Sequence, residues 1–254
     1  MKDWALITGG TAGIGESFSR LLAKEGFNIV LVARDETRLQ ERAESLSKTF
    51  SIECQTIVAD LATVEGCAKV EQYIQENPIE VLINNAGFGI NKAFSLSHID
   101  REEELLKVLV RTPMRLMHVS LPSMKERGSG IVINVSSVAS FIAGGTYSAA
   151  KSYLTVLSES LHTEHAGTGV TVSALCPGFT RTEFHERARM RMSSLPEFMW
   201  INSDQLVAKA WSDAKAGKAV SIPGWQYKAL VGITRSVPRS LVRRLGMNLR
   251  IRQR

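Results

Sequence analysis

Only three of the 254 residues are cysteine, and they are scattered at Cys54, Cys67 and Cys176 with no C-x-x-C spacing. That excludes a disulfide framework and a cysteine-ligated zinc site, and it fits a reducing compartment. No uninterrupted apolar run is long enough to cross a bilayer. The first apolar stretch starts at Trp4, which leaves no room for a cleaved signal peptide and points to a cytoplasmic location. His162 and His165 stand three apart with no nearby cysteine or third ligand, so no metal site is expected. Repeats, low-complexity segments and interior linkers are also absent. Acid is missing from the end of the chain: Asp213 is the last carboxylate, whereas residues 225–254 hold Lys228 and seven arginines. Without those eight cations the 31 basic residues fall to 23, against 25 acidic ones. The body is nearly neutral despite the net charge of +6, and a general affinity for nucleic acid is not expected.

What is present alternates. Apolar runs near 4–8, 28–33, 54–58, 80–84, 130–135, 170–175 and 219–222 read as strands. Segments near 14–25, 35–49, 63–76, 99–126, 147–166 and 203–216 read as helices. Runs such as Asn28-Ile29-Val30-Leu31-Val32 are continuous rather than alternating, as in strands covered on both faces of a parallel sheet. The expectation is one doubly wound α/β domain over 1–224 with a seven-stranded parallel sheet, followed by a basic helical tail over 225–254. Ligands of such a sheet sit beyond the carboxyl ends of its strands.

Thr8-Gly9-Gly10-Thr11-Ala12-Gly13-Ile14-Gly15 lies between the first strand and the first helix. Glycines there let the backbone turn tightly and approach a pyrophosphate, and the helix N-terminus holds its charge. Gly9, Gly13 and Gly15 give G-x-x-x-G-x-G, and with Thr8 in front the segment resembles the short-chain dehydrogenase/reductase family, whose domain is a Rossmann fold. The resemblance extends over roughly residues 4–222. It implies cofactor contacts from Gly9, Thr11, Gly13, Ile14 and Gly15. At the end of the second strand Ala33 stands where members preferring NAD carry an acid, and Arg34 follows. A 2′-phosphate wants a cation, so Ala33-Arg34 favours NADP(H). Arg38, four residues on, either shares that phosphate or sits on a solvated helix face; Asp35 is read as a helix N-cap or first-turn acid. By resemblance Asp60, with Leu61, meets the adenine. Asn84-Asn85-Ala86-Gly87 resembles the family's N-N-A-G segment, in which Asn84 ties strands together while Asn85, Ala86 and Gly87 flank the adenine ribose.

The chemistry is read on Ser137, Tyr147 and Lys151. Tyr147-Ser148-Ala149-Ala150-Lys151 sets a phenol and an ammonium four apart on one helix face. A nearby cation is expected to lower the phenol's pKa, and a tuned tyrosine can give a proton to a carbonyl oxygen while hydride reaches the carbon. Ser137 can hydrogen-bond the same oxygen. By resemblance Lys151 also holds the nicotinamide ribose, and Tyr147 lies beside it. Cys176-Pro177-Gly178-Phe179-Thr180-Arg181-Thr182 resembles the family's P-G segment. There Pro177, Gly178 and a threonine touch the nicotinamide and pyrophosphate; Thr180 and Thr182 are the candidates, Thr182 favoured.

Two departures stand out. Only nine residues separate Ser137 from Tyr147, which trims one wall of the substrate pocket. The family's usual catalytic asparagine, counted back from Leu121-Pro122, falls on Leu109, which cannot hold the water of the proton relay. Residues 184–201 include Phe184, Met190, Met192, Leu195, Phe198, Met199 and Trp200. They form either a cover over a bulky apolar ketone or alcohol, or a surface packed on the body or a second subunit. In the tail Val237, Leu241, Leu245 and Leu249 recur every fourth residue among arginines, with Pro238 at the start and Gly246 weakening the pattern. This suits a membrane-surface helix or one packed on the body or a partner. Three functions stay open: an NADPH-dependent carbonyl reductase or alcohol dehydrogenase, expected as a homodimer or homotetramer; a catalytically weakened NADP-binding protein; and a membrane-surface or assembly protein.

Overall fold

The computed structural model describes residues 2–184, 196–238 and 240–243. Seven parallel strands form one sheet in the order β3-β2-β1-β4-β5-β6-β7. They are β1 Trp4–Thr8, β2 Asn28–Ala33, β3 Cys54–Val58, β4 Val81–Asn84, β5 Gly130–Val135, β6 Val170–Leu175 and β7 Val220–Ser221. The last is two residues long, shorter than the apolar run suggests, because only Ala174 and Leu175 of β6 pair with it. The order reverses between β1 and β4, and the crevice for a ligand opens there.

Each strand sends alternate residues to opposite faces. Ala5, Ile7, Ile29 and Leu31 meet Phe18, Leu22, Leu39 and Leu206 on one side; Leu6, Val30 and Val32 meet Val70, Leu116 and Leu154 on the other. The first side is covered by α1 Gly13–Lys24, α2 Glu36–Phe50 and α7 Ser203–Lys215. The second is covered by α3 Val64–Glu76, α5 Thr112–Arg127 and α6 Thr146–Glu164. Each fully buried leucine or valine contributes about 1.5–3 kcal/mol, which is why the strands read as unbroken apolar runs. Local signals set the helix starts. Asp35 accepts from the Arg38 N–H at 3.0 Å, Thr63 from Gly66 N–H at 2.9 Å, and Asn202 from Asp204 N–H at 2.9 Å.

Two elements differ from expectation. The helix expected over 99–126 is broken: α4 Ile99–Leu106 passes through a π-helical turn, Lys107–Arg111, before α5 begins. Thr112 N–H reaches back five residues to the Lys107 carbonyl, and Pro113 has no N–H to give. Residues 225–236, expected as the start of a tail, form α8 Trp225–Ser236, which buries Tyr227 completely along with Val231. The chain breaks at Pro238 and turns again, with Val242 buried and Leu241 half exposed. Leu245 and Leu249 lie outside the described residues.

Candidate active site

The glycine loop follows β1. Gly9 and Gly13 take φ of 67° and 55°, a region that costs any residue with a Cβ. A Cβ on Gly15 would stand 2.2 Å from the Gly9 carbonyl oxygen, so only glycine lets the turn close. Thr8 and Asn85 pin this loop from below. Thr8 Oγ1 donates to the Ile83 carbonyl at 3.3 Å and accepts from the N–H groups of Asn85 and Ala86 at 2.9 and 3.1 Å. Asn85 Nδ2 donates to the carbonyls of Thr8 and Gly9, both at 3.0 Å. Ala12 precedes α1 and offers no side chain to its first N–H groups, which leaves them for a phosphate. The cradle therefore fits the pyrophosphate of a dinucleotide. Thr11 is buried and Ile14 packs on the core.

The part of the crevice where the resemblance places the adenine is built from three strand ends. Arg34 is exposed just past β2. Arg38 does not stand on a solvated face: it grips Glu183 with both terminal nitrogens, at 3.1 and 2.5 Å. That carboxylate raises the guanidinium's pKa further. Asp60 accepts from the Ala62 N–H at 3.0 Å and so shapes the turn after β3, while Leu61 is buried in the core. Asn84 donates to Asn134 Oδ1 at 2.8 Å and ties β4 to β5.

The catalytic candidates converge beyond β5. Ser137 begins a 3₁₀ turn, Val138–Phe141, and accepts from the Ala139 N–H at 3.1 Å. Tyr147 and Lys151 lie on the first turns of α6, one helical turn apart. Lys151 is 4% exposed, and its Nζ donates to the Val135 carbonyl at 2.6 Å. That nitrogen is 5.7 Å from the centre of the Tyr147 ring. Burial pushes the phenol up to about 12, against which a hydrogen bond from Ser137 pulls down. Burial also holds Lys151 down at about 8. The expected lowering of the phenol by the lysine is thus reversed in the protein alone, because desolvation dominates both groups. Phe184 lies 6.0 Å from Tyr147 between ring centres, and Phe88, Ile90, Val108 and Val110 pack with Leu105 and Leu109 nearby. The wall beside the phenol is therefore apolar.

The P-G segment joins the two halves. The Thr182 side chain packs over Gly13, where an added Cβ would come within 2.9 Å of it. Thr180 instead turns its hydroxyl back to the Gly178 carbonyl at 3.1 Å and is buried. Pro177 is buried, and its carbonyl accepts from the Val138 N–H at 3.0 Å. Gly178 is in place for a reason invisible in the sequence: the Tyr227 ring of α8 lies where its Cβ would be, 2.0 Å away. Tyr227 Oη accepts from the Phe179 N–H at 2.9 Å and donates to the Met199 carbonyl at 2.5 Å. Tyr227 and Glu183 are the site-supporting residues that no motif flags. Of the expected cover, Phe198 is 62% exposed, Trp200 stacks near Phe179 at 6.1 Å, and Met190, Met192 and Leu195 lie outside the described residues. His162 and His165 bond backbone carbonyls, at 3.1 Å to Val172 and 2.9 Å to Leu161.

The chain is similar to known proteins. A very-long-chain 3-oxoacyl-CoA reductase from Rattus norvegicus is 30% identical over 202 residues, 77% of this chain. The match spans 64% of the rat protein, less than two thirds of its length. A short-chain dehydrogenase from Sphingobium yanoikuyae, solved in complex with NADPH, superposes with a TM-score of 0.84 at 30% identity, covering 93% of this chain and 96% of that one. A bulky-bulky ketone specific alcohol dehydrogenase from Comamonas testosteroni superposes at 0.79 with 29% identity, covering 94% and 96%. The sequence pattern described as short chain dehydrogenase matches residues 3–193, from the glycine loop through the Ser137, Tyr147 and Lys151 cluster to the P-G segment, and the chain belongs to that family.

Proposed function

We propose that the protein is an NADPH-dependent oxidoreductase that interconverts a ketone and a secondary alcohol on a bulky apolar substrate. The observation that carries this is the meeting of Ser137, Tyr147 and Lys151 beyond β5, beside the loop of Gly9, Gly13 and Gly15. The glycine loop and the start of α1 would hold the pyrophosphate. Arg34, with Arg38 once freed from Glu183, would hold the 2′-phosphate. Lys151 would hold the nicotinamide ribose. When bound, the dinucleotide supplies the hydride. Tyr147, protonated at neutral pH, donates the proton to the substrate oxygen, and Ser137 hydrogen-bonds that oxygen. A protonated phenol suits reduction of the ketone. The apolar wall of Phe184, Phe88 and Ile90 excludes water and suits a bulky substrate. The rat 3-oxoacyl-CoA reductase and the Comamonas enzyme for bulky ketones support the same substrate class.

A second reading, an NADP-binding protein with weakened catalysis, is favoured by Leu109. NADPH oxidation measured against a series of bulky ketones separates the two. Turnover with at least one is expected; tight NADPH binding with no turnover on any would establish the second. Assembly as a homodimer or homotetramer, a cytoplasmic location and peripheral membrane contact through the basic tail belong to this proposal as well.

A further inference from the structure

A cavity of about 10 Å³, the size of one water, lies beneath Lys151. Asn84, Val108, Leu109, Thr112, Val135 and Lys151 line it. Leu109 stands close by: a Cβ on Gly87 would lie 2.7 Å from Leu109 Cδ2 and 4.0 Å from Lys151 Nζ. The position where the family's usual asparagine falls is therefore beside the lysine, and it is apolar here.

Another amide is present. Asn84 is 5% exposed, and its Oδ1 is buried with no hydrogen-bond partner among the described residues. A chain of bonds fixes its orientation. Ser158 Oγ donates to the Leu154 carbonyl at 2.6 Å, so it accepts from Asn134 Nδ2 at 2.8 Å. Asn134 then presents Oδ1 to Asn84 Nδ2, which leaves Asn84 Oδ1 as the spare acceptor. A second acceptor is set free by the π turn. Thr112 donates to Lys107, and Pro113 cannot donate, so no N–H four or five residues ahead serves the Val108 carbonyl. Lys151 has three ammonium donors, of which the Val135 carbonyl takes one.

We propose that this cavity binds one water, which donates to Asn84 Oδ1 and the Val108 carbonyl and accepts from Lys151 Nζ. Asn84 is then a positioning residue that keeps the lysine charged and aimed at the active site, a task the side chain at 109 cannot perform. A buried ammonium needs such a partner, since each unmet donor favours the neutral amine. The titratable groups near Lys151 are Tyr147 on its own helix and Cys176 after β6. β4, β5 and the π turn present amides, carbonyls and apolar groups to it; Arg111 turns away to the carbonyls of Leu61, Ala62 and Thr63.

The kinetic part of this proposal rests on the oxidoreductase reading; the water does not. A crystal structure of the native protein should show a water within hydrogen-bond distance of both Asn84 Oδ1 and Lys151 Nζ, and a dry cavity overturns the proposal whatever the activity. In pH–rate profiles with NADPH and an accepted ketone, Asn84→Ala should move the alkaline limb to lower pH by about one unit, as loss of a partner to the charged form requires. It should lower kcat by about tenfold, short of the roughly hundredfold that a direct proton donor carries. Adding Leu109→Asn to that variant returns an amide to the cavity and should restore the limb. Asn134→Ala removes the bond that orients the Asn84 amide, and its limb should move the same way by a smaller amount, because the amide keeps its oxygen and can still turn it to the water. An unmoved limb in Asn84→Ala, or a shift that adding Leu109→Asn does not reverse, overturns the role. Should Asn84→Ala fail to fold, the native density decides. A native protein inert towards every ketone would sink the oxidoreductase reading and leave the water to be judged on its density.

Discussion

Arg38 on α2 and Glu183 after the P-G segment form a two-pronged ion pair that joins the helix after β2 to the segment after β6. Both side chains are part-exposed, so the pair itself contributes at most about 1 kcal/mol. Its effect lies in competition. On the proposed NADPH reading a 2′-phosphate would have to draw Arg38 away from a carboxylate, while Arg34 is exposed and would need no such exchange. Glu183→Gln should therefore tighten NADPH binding several-fold and leave NADH unchanged. Arg34→Asp should weaken NADPH by roughly tenfold or more relative to NADH, as loss of a charged hydrogen bond implies. Fluorescence titration with both cofactors reads each effect; equal native affinities for the two would refute the preference.

Tyr147→Phe keeps the ring against Phe184 and removes only the hydroxyl. NADPH affinity should persist while turnover falls by roughly 10²–10⁴-fold. Near-normal turnover in the folded variant would remove Tyr147 from the chemistry.

Lys151 gives a pH signature of stability that needs no substrate. Burial holds its folded-state pKa near 8, against an ordinary 10.5. Between those values the unfolded chain binds more protons than the native one, so stability rises as pH climbs from about 8 to about 10.5. The full rise is on the order of 3 kcal/mol. The buried thiols Cys54, Cys67 and Cys176 are pushed up by burial and act the other way over this range, so the rise is read as the difference between the native protein and Lys151→Met in urea unfolding at stepped pH.

Asp213 behaves oppositely. Burial alone would raise its pKa, but bonds from Lys209, Lys218 and Ser221, at 2.5, 2.6 and 2.8 Å, together hold it down at about 2 against an ordinary 3.8. Its contribution is complete above about pH 4 and is lost as pH falls through 2. Allowing for the exposed lysines, that is about 1–2 kcal/mol. Asp213→Asn should lose this much at pH 7 and show a correspondingly weaker acid dependence; an unchanged midpoint at neutral pH would contradict the assignment.

The basic tail can be tested by a cut after the last described turn. On the membrane-surface reading, deleting 244–254 keeps the buried Val242 and should leave the melting temperature nearly unchanged. If the arginines there meet anionic headgroups at about 1 kcal/mol each, the full chain should float with anionic vesicles at low salt and the shortened one should not. A full chain that stays in solution would mark the tail as structural.

The seven strands and the residues of the glycine loop were legible because burial on both faces and a tight turn leave plain compositional marks. Leu31 and Gly15 announce their environments. The break in the long helix was not legible, since a π turn at Lys107–Arg111 depends on Pro113 withholding one N–H within an otherwise helical pattern. Nor was the burial of Tyr227, which rests on a partner 49 residues away in sequence, Gly178. The direction of the Tyr147 shift was misjudged from spacing, because the i, i+4 rule gives proximity to Lys151 and says nothing of how dry the place is. Arg38 stays open between a phosphate contact and a solvated face in the sequence, because its partner, Glu183, is 145 residues away.

The strand order has a bearing on how the chain acquires its shape. β1 pairs with β2 on one side and, on the other, with β4. The bonds that pin the glycine loop join Thr8 to Asn85, 77 residues on. A nascent chain can thus form the β1–β2 pair early, yet its phosphate cradle stays unset until β4 arrives. Long-range closures of this kind slow folding. The loop after β1 is made before β4 yet becomes competent only after it, and a dinucleotide present during refolding should speed no step before β4 docks.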